Sequence, residues 1–259
     1  MRRIYGRKCS LSLILDGGTS VSIPYCEETV REAVNGYFLP PALTNKTKSK
    51  FVASGTRITG CFITRLDADC VLPLFKLFLF PRKRFDLIQD HVNVIKKYCQ
   101  VFCKGFSLYA ENEKAFYLKC EITGDSLSSA FKIQDKCSPW NKEETFIFYG
   151  RNVFIDGCKA SLIYRIELKG NLESNGGYEL KLYSPLSVEF VPTLENINKI
   201  SVSLNLRKNL YIEFHNLIPS HDLCDINCGD SILAMHRFFI SGNICIIQKD
   251  AENTAELVI

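Results

Sequence analysis

The residues with the most chemical potential lie between positions 215 and 239, in "HNLIPSHDLCDINCGDSILAMHRFF". His221-x2-Cys224-x3-Cys228 offers three soft ligands, with His215 or His236 as a fourth, and zinc favours tetrahedral sets of imidazole and thiolate. The spacing fits no common finger, and Ile226 followed by "SILAM" reads as a strand entering a core, so these residues are expected to be strand cysteines and surface histidines. Cys99-x3-Cys103 is weaker as a ligand pair. No G-x-S-x-G is present to present a serine nucleophile, and no G-x-x-x-x-G-K-[ST] or G-x-G-x-x-G to cradle phosphate. The "DGG" and "NGG" triplets read as hairpin turns. "FPRKRF" (80 to 85) sets three bases between aromatics, which reads as a solvated helix start with phosphate contact as the alternative.

Period-two alternation dominates the segments that must position these residues. "CSLSLIL" (9 to 15), "TSVSIPY" (19 to 25), "FYLKCEI" (116 to 122), "SLIYRIEL" (161 to 168), "YELKLYS" (178 to 184), "LSVEFV" (186 to 191) and "ISVSLNL" (200 to 206) alternate and are bounded by turn formers. The expected fold class is therefore all-β, with one or two short helices and a barrel or jelly-roll-type architecture. "CEETVREAVNG" (26 to 36) reads equally as a helix or a loop, and a helix is expected at "RFDLIQDHVNVIKKYCQVF" (84 to 102), where Phe85, Ile88, Val92, Ile95 and Cys99 form a stripe. Turn signals stand at 39 to 50, 136 to 144 and 171 to 177. The 84 to 102 helix divides the chain into β-rich halves, 1 to 103 and 104 to 259.

Composition bounds the function classes. The chain has 259 residues, 46% of them hydrophobic, enough for a core without covalent staples. Its net charge of +4 demands neither a nucleic-acid nor a membrane surface, and neither is expected as a partner. The 12 cysteines are scattered, many in apolar runs, and read as reduced core residues. The basic start lacks a long apolar run, and "CVLPLFKLFLF" (70 to 80) is broken by Pro73 and Lys76, so an intracellular chain without a membrane span is expected.

Two stretches together resemble a known family. "GGYELKLYSPLSVEFVPTLENINKISVSLNL" (176 to 206) resembles the first motif of dUTPases, and "LYIEFHNLIPSHDLCDINCGDSILAMHRFF" (210 to 239) is similar to the fourth, with Gly229, Asp230 and Ile232 matching Gly-Asp-x-Ile. "GCFITRLDADCVLPLFKLFLF" (60 to 80) looks like the strand pair of the third motif. A third motif ahead of the first is the order of the long herpesvirus enzymes. The resemblance implies two dUTPase-like halves in one monomer.

It also defines what is missing. Asp67 stands near the water-activating position, but the Tyr and Gly-Glu that should follow are absent; Arg57 lacks the following Ser; Glu179 replaces Asp; the C-terminus has no Gly-rich closing segment. The family reading is thus a herpesvirus dUTPase-related protein without catalysis, metal or cofactor. It would bind host or viral proteins in the cytoplasm or nucleus, in a regulatory, tegument or immune-evasion role. The alternatives are a divergent dUTP hydrolase using Asp67, Glu179 and Asp230 with magnesium, and a DNA-associated factor of sliding-clamp type.

Overall fold

The computed structural model describes residues 10–15, 18, 20–23, 25–39, 50–79, 84–90, 95–124, 128–130, 145–160, 162–172, 177–185, 200–207, 210–220, 224–228, 231–249 and 254–258. They are almost entirely antiparallel β-strand, in keeping with the alternating sequence pattern. Two compact units emerge: Met1–Thr64, Phe80–Lys104 and Cys120–Trp140 form one, and Arg65–Leu79, Gly105–Lys119 and Asn141–Ile259 the other.

In the first unit, β1 (Ser10–Ile14) lies between β2 (Ser20–Ile23) and β6 (Arg84–Asp90), and β6 pairs in turn with the start of β7 (Ile95–Glu111). β3 (Tyr25–Glu28) and β4 (Arg31–Leu39) both pair with β5 (Lys50–Arg65), which also meets β8 (Tyr117–Gly124), while β9 (Ser128–Ala130) pairs with β7. Leu11, Leu13, Ile58, Phe62, Leu87 and Val101 fill its core. The expected helix at 84 to 102 and the helix-or-loop segment at 26 to 36 are strands here. Residues 84 to 90 bury Phe85, Leu87, Ile88 and Gln89, and pairing with β1 and β7 on the two edges fixes the segment as a strand. The helical stripe of residues 26 to 36 splits as well: Val30 is buried and Val34 exposed. The Val30 carbonyl accepts from Tyr98 Oη at 3.2 Å and Gln89 Nε2 at 3.4 Å, two buried polar groups in contact with one backbone oxygen. Burial, then Glu28 and Glu32, push the Tyr98 phenol up to about 12.

A bulge in β7 shows how side chains hold irregular backbone. Gln100 adopts a left-handed φ of 56°, its N–H donates to Asp86 Oδ1 at 2.9 Å, and Asp86 also receives Lys97 Nζ at 2.7 Å. Gly60 (φ 149°) solves a different problem, because a Cβ there would meet the Thr29 carbonyl at 2.6 Å.

The second unit is ordered by pairing. The end of β7 pairs with β12 (Arg165–Asn171), β12 with β13 (Tyr178–Pro185), and β13 with β17 (Ser231–Ile240). The other edge of β17 takes β16 (Cys224–Cys228) and the end of β15 (Leu210–Pro219). β15 continues to β14 (Ile200–Arg207) on one side and to β18 (Ile244–Lys249) with β19 (Thr254–Val258) on the other. β10 (Val153–Ile155) pairs with β14 and, through the Asp156-Gly157 turn, with β11 (Cys158–Lys159). Leu108, Leu168, Leu180, Leu182, Ile212 and Phe214 form the buried stripe.

α1 (Ala68–Leu79) stands where a second strand of the third-motif pair is expected. It buries Cys70, Val71, Leu74, Phe75 and Leu77, a helical spacing hidden within a run that is apolar on every side. Pro73 removes one N–H from this helix. No helix among the described residues is long and apolar enough to cross a membrane. The segment 186 to 191, the interior of the 39 to 50 turn, and residues 136 to 144 lie outside the described residues.

Candidate functional site

Asp67 follows β5 directly and is only 5% exposed. Its Oδ1 accepts the Cys70 N–H at 2.8 Å, and its main-chain carbonyl accepts Val71 N–H at 3.1 Å. In return, the Asp67 N–H points at Cys70 Sγ, 3.4 Å away. That reciprocal pattern is a capping box with cysteine in place of the usual Glu or Gln. Asp67 also makes an isolated bridge with Thr145. Burial, reinforced by Asp67, raises the Cys70 thiol far above its ordinary range, so the sulfur stays protonated. The carboxylate expected near a water-activating position is thus bonded to the first turn of its own helix.

Glu179 belongs to a different environment. In β12, β13 and β17, alternate residues face away from the leucine stripe, and the register stacks them in rows. One row runs Glu111, Arg165, Tyr183, Met235; the next Tyr109, Glu167, Lys181, Arg237; the third Ser107, Lys169, Glu179, Phe239, extended by Ile218 of β15. Glu179 Oε1 lies 3.4 Å from Lys181 Nζ and contacts Arg237 Nε directly. The Arg237 guanidinium sits 4.9 Å above the Phe239 ring, and Arg165 sits 5.4 Å above Tyr183. Tyr183 donates to Glu167 Oε2 at 3.3 Å, and burial followed by Glu167 pushes its phenol up to about 12. Tyr109 and Tyr117 stack with centroids 5.7 Å apart. The face ends in an open apolar pair, Phe239 at 45% and Ile218 at 40% exposure, placed directly across from each other.

The opposite face of the same strands holds His236 and Ser184, with Ser184 Oγ 3.0 Å from His236 Nε2. Ser184 is fully buried among the leucines of β12 and β13, so the pair links β13 to β17 inside the core and offers no open nucleophile. Burial lowers the His236 pKa below its ordinary value, leaving the imidazole neutral near pH 7. His215 is on β15, where Nε2 lies 3.5 Å from Glu213 Oε2.

Of the suggested zinc ligands, Cys224 and Cys228 open and close β16, while His215 lies on β15 and His236 on β17. His221, Gly229 and Asp230 lie outside the described residues. Among the described residues, no group of three His, Cys, Asp or Glu could hold a metal ion. Cys70, Cys103, Cys120 and Cys245 are buried, whereas Cys26 and Cys158 are exposed, contrary to the expectation of buried positions throughout.

Sequence reasoning picked out Glu179 but missed its partners, since only the pairing of β13 with β17 sets Arg237 beside it. The signal available was "YELKLYS" against "AMHRFF", two strands whose alternate positions carry charge or aromatic rings. No protein-family model matches the chain, and no curated protein matches it.

Proposed function

We propose that this chain is a non-enzymatic herpesvirus dUTPase-related protein that works inside the infected cell by binding host or viral proteins. The observation that carries the reading is the β13–β17 face, where Arg237 stacked on Phe239 lies beside exposed Ile218. Arginine and aromatic residues set beside an apolar patch are the side chains that concentrate binding energy at protein interfaces. The carboxylates a hydrolase would use support it from the other direction, since Asp67 caps α1 and Glu179 is held by Lys181 and Arg237. The all-β antiparallel fold is compatible with the family resemblance. The role would be regulatory, virion-associated or immune-evading.

A photo-crosslinking residue placed at Phe239 in the full chain, expressed in infected cells, tests this. A discrete adduct that disappears when Arg237→Glu is added, while a probe at exposed Glu113 yields no such adduct, is the expected result. Equal labelling at both positions, or an adduct indifferent to Arg237, would overturn the assignment of this face.

A further inference from the structure

The acids and the cations of the β12–β13–β17 face do not stand at the same height. Glu167 and Glu179 keep side-chain exposures of 12% and 19%, whereas Lys169 and Arg237 keep 49% and 34%. Each acid is met from two directions: Glu167 by Lys169 Nζ at 3.1 Å and by the Tyr183 hydroxyl, Glu179 by Lys181 and Arg237. The glutamates are thus neutralised within the sheet, and solvent meets mainly the cations.

Composition points the same way. The outward positions of β12, β13 and β17 hold Arg165, Lys169, Lys181 and Arg237 against Glu167 and Glu179, an excess of two positive charges. Glu111, which faces Arg165 from β7, is met by Lys114 at 2.5 Å. Arg165 stacks on Tyr183, and its Nε, shielded from solvent, has no hydrogen-bond acceptor among the described residues. The apolar part of the face lies within this positive surround: Lys169 shares the cross-strand row of Phe239 and Ile218, and Arg237 is stacked on the Phe239 ring.

We infer that the partner of this face is an acidic protein segment, which sets one aromatic or large aliphatic side chain on Phe239 and Ile218 and aspartates or glutamates against Lys169 and Arg237. The inference rests on the protein-binding reading above and names the chemistry of its partner. An apolar anchor supplies affinity and the charges around it select the partner by sign. The incoming chain does not join the sheet, because residues 238 to 240 of β17 are paired with β13 on one edge and with β15 on the other, which leaves neither edge open to strand addition. Recognition is therefore by side chains. A nucleic acid fits this face less well, since the Arg237 guanidinium already occupies a side of the Phe239 ring on which a base would stack, and the two glutamates beneath the cations oppose a dense run of phosphates.

The test is selection from a phage-displayed library of random linear peptides on the immobilised full chain, followed by fluorescence anisotropy of the strongest peptide. The expected result is a set of peptides in which aspartates and glutamates flank an aromatic or large aliphatic residue, with binding that weakens as salt rises from about 0.1 M to about 0.5 M. Phe239→Ser and Lys169→Glu should each weaken that binding roughly tenfold. Both side chains are half in solvent, so a thermal melt should show each variant folded like the parent, and Glu113→Gln, on the hairpin tip between β7 and β8, should bind as the parent does. Selection of basic or uncharged peptides, no selection at all, or binding indifferent to both variants would overturn the inference. So would an oligothymidylate that bound more tightly than the peptide and was released by Lys169→Glu. The photo-crosslink at Phe239 separates the two readings: an Arg237-dependent adduct together with basic selected peptides would keep the face as a protein-binding surface and discard the acidic partner.

Discussion

Replacing Asp67 by alanine removes the acceptor that holds the Cys70 N–H at 2.8 Å in a place solvent does not reach. Loss of an N-cap costs about 1 kcal/mol, and a buried N–H left without its acceptor costs about another 1 to 3 kcal/mol. Asp67→Ala should therefore destabilise the second unit by about 2 to 4 kcal/mol. For a chain of this size that lowers the thermal midpoint by about 4 to 16 °C. Asp67→Asn keeps an oxygen at the same place and the same reach, and asparagine caps as well as aspartate, so it should stay within about 0.5 kcal/mol of the parent. Urea unfolding and a thermal melt, both followed by circular dichroism, measure the two differences. The contrast matters because a water-activating carboxylate and a capping carboxylate respond differently to Asn: the first loses its function and the second keeps it. If Asn damaged stability as much as Ala, or if Ala were neutral, the capping argument would be refuted.

Two further predictions concern the second unit. The unfolded chain protonates His236 near pH 6.5, whereas the folded chain holds it neutral to lower pH; the unfolded state therefore takes up the proton first, and stability present above pH 6.5 is lost as pH falls below it toward the folded value. Denaturant titrations between pH 7 and 5 should show a steeper loss for the parent than for His236→Gln, which does not titrate, and parallel curves would contradict the burial of a neutral imidazole. Gly150→Ala should cost about 1 to 3 kcal/mol or more, because its Cβ would fall 1.8 Å from the Ile163 carbonyl oxygen, whereas Gly177→Ala, with nothing within 4 Å, should be close to neutral in the same urea assay.

Alternation of residue types made the strands at 10 to 14, 20 to 23, 117 to 124, 178 to 185 and 200 to 207 legible, even where, as at Leu11, Ser12 and Leu13, both faces are buried. Where both periods fit the same residues, local pattern misled. Phe85 and Ile88 satisfy a helical stripe as well as a strand, and hydrogen bonding to β1 and β7, distant in sequence, decided for the strand. The reverse happened at Cys70 to Leu79, where an apolar run gives no face at all and the deciding signal was the Asp67 cap. Chemistry was legible only as residue type. Asp67 and Glu179 are carboxylates in the sequence, but whether each meets water, a backbone N–H or a guanidinium depends on what packs beside it. Val34, Tyr37 and Phe38 show the same limit, as nothing local distinguishes apolar residues on an open ribbon from those in a core.

The central claim, that this chain binds proteins and does not process nucleotides, is tested most directly by isothermal titration of the folded full-length chain with a non-hydrolysable dUTP analogue and magnesium. The account predicts heats indistinguishable from dilution, because Asp67 and Glu179 are already held by the fold. A saturable isotherm that vanished on removal of magnesium would contradict it and return the chain to the nucleotide hydrolases.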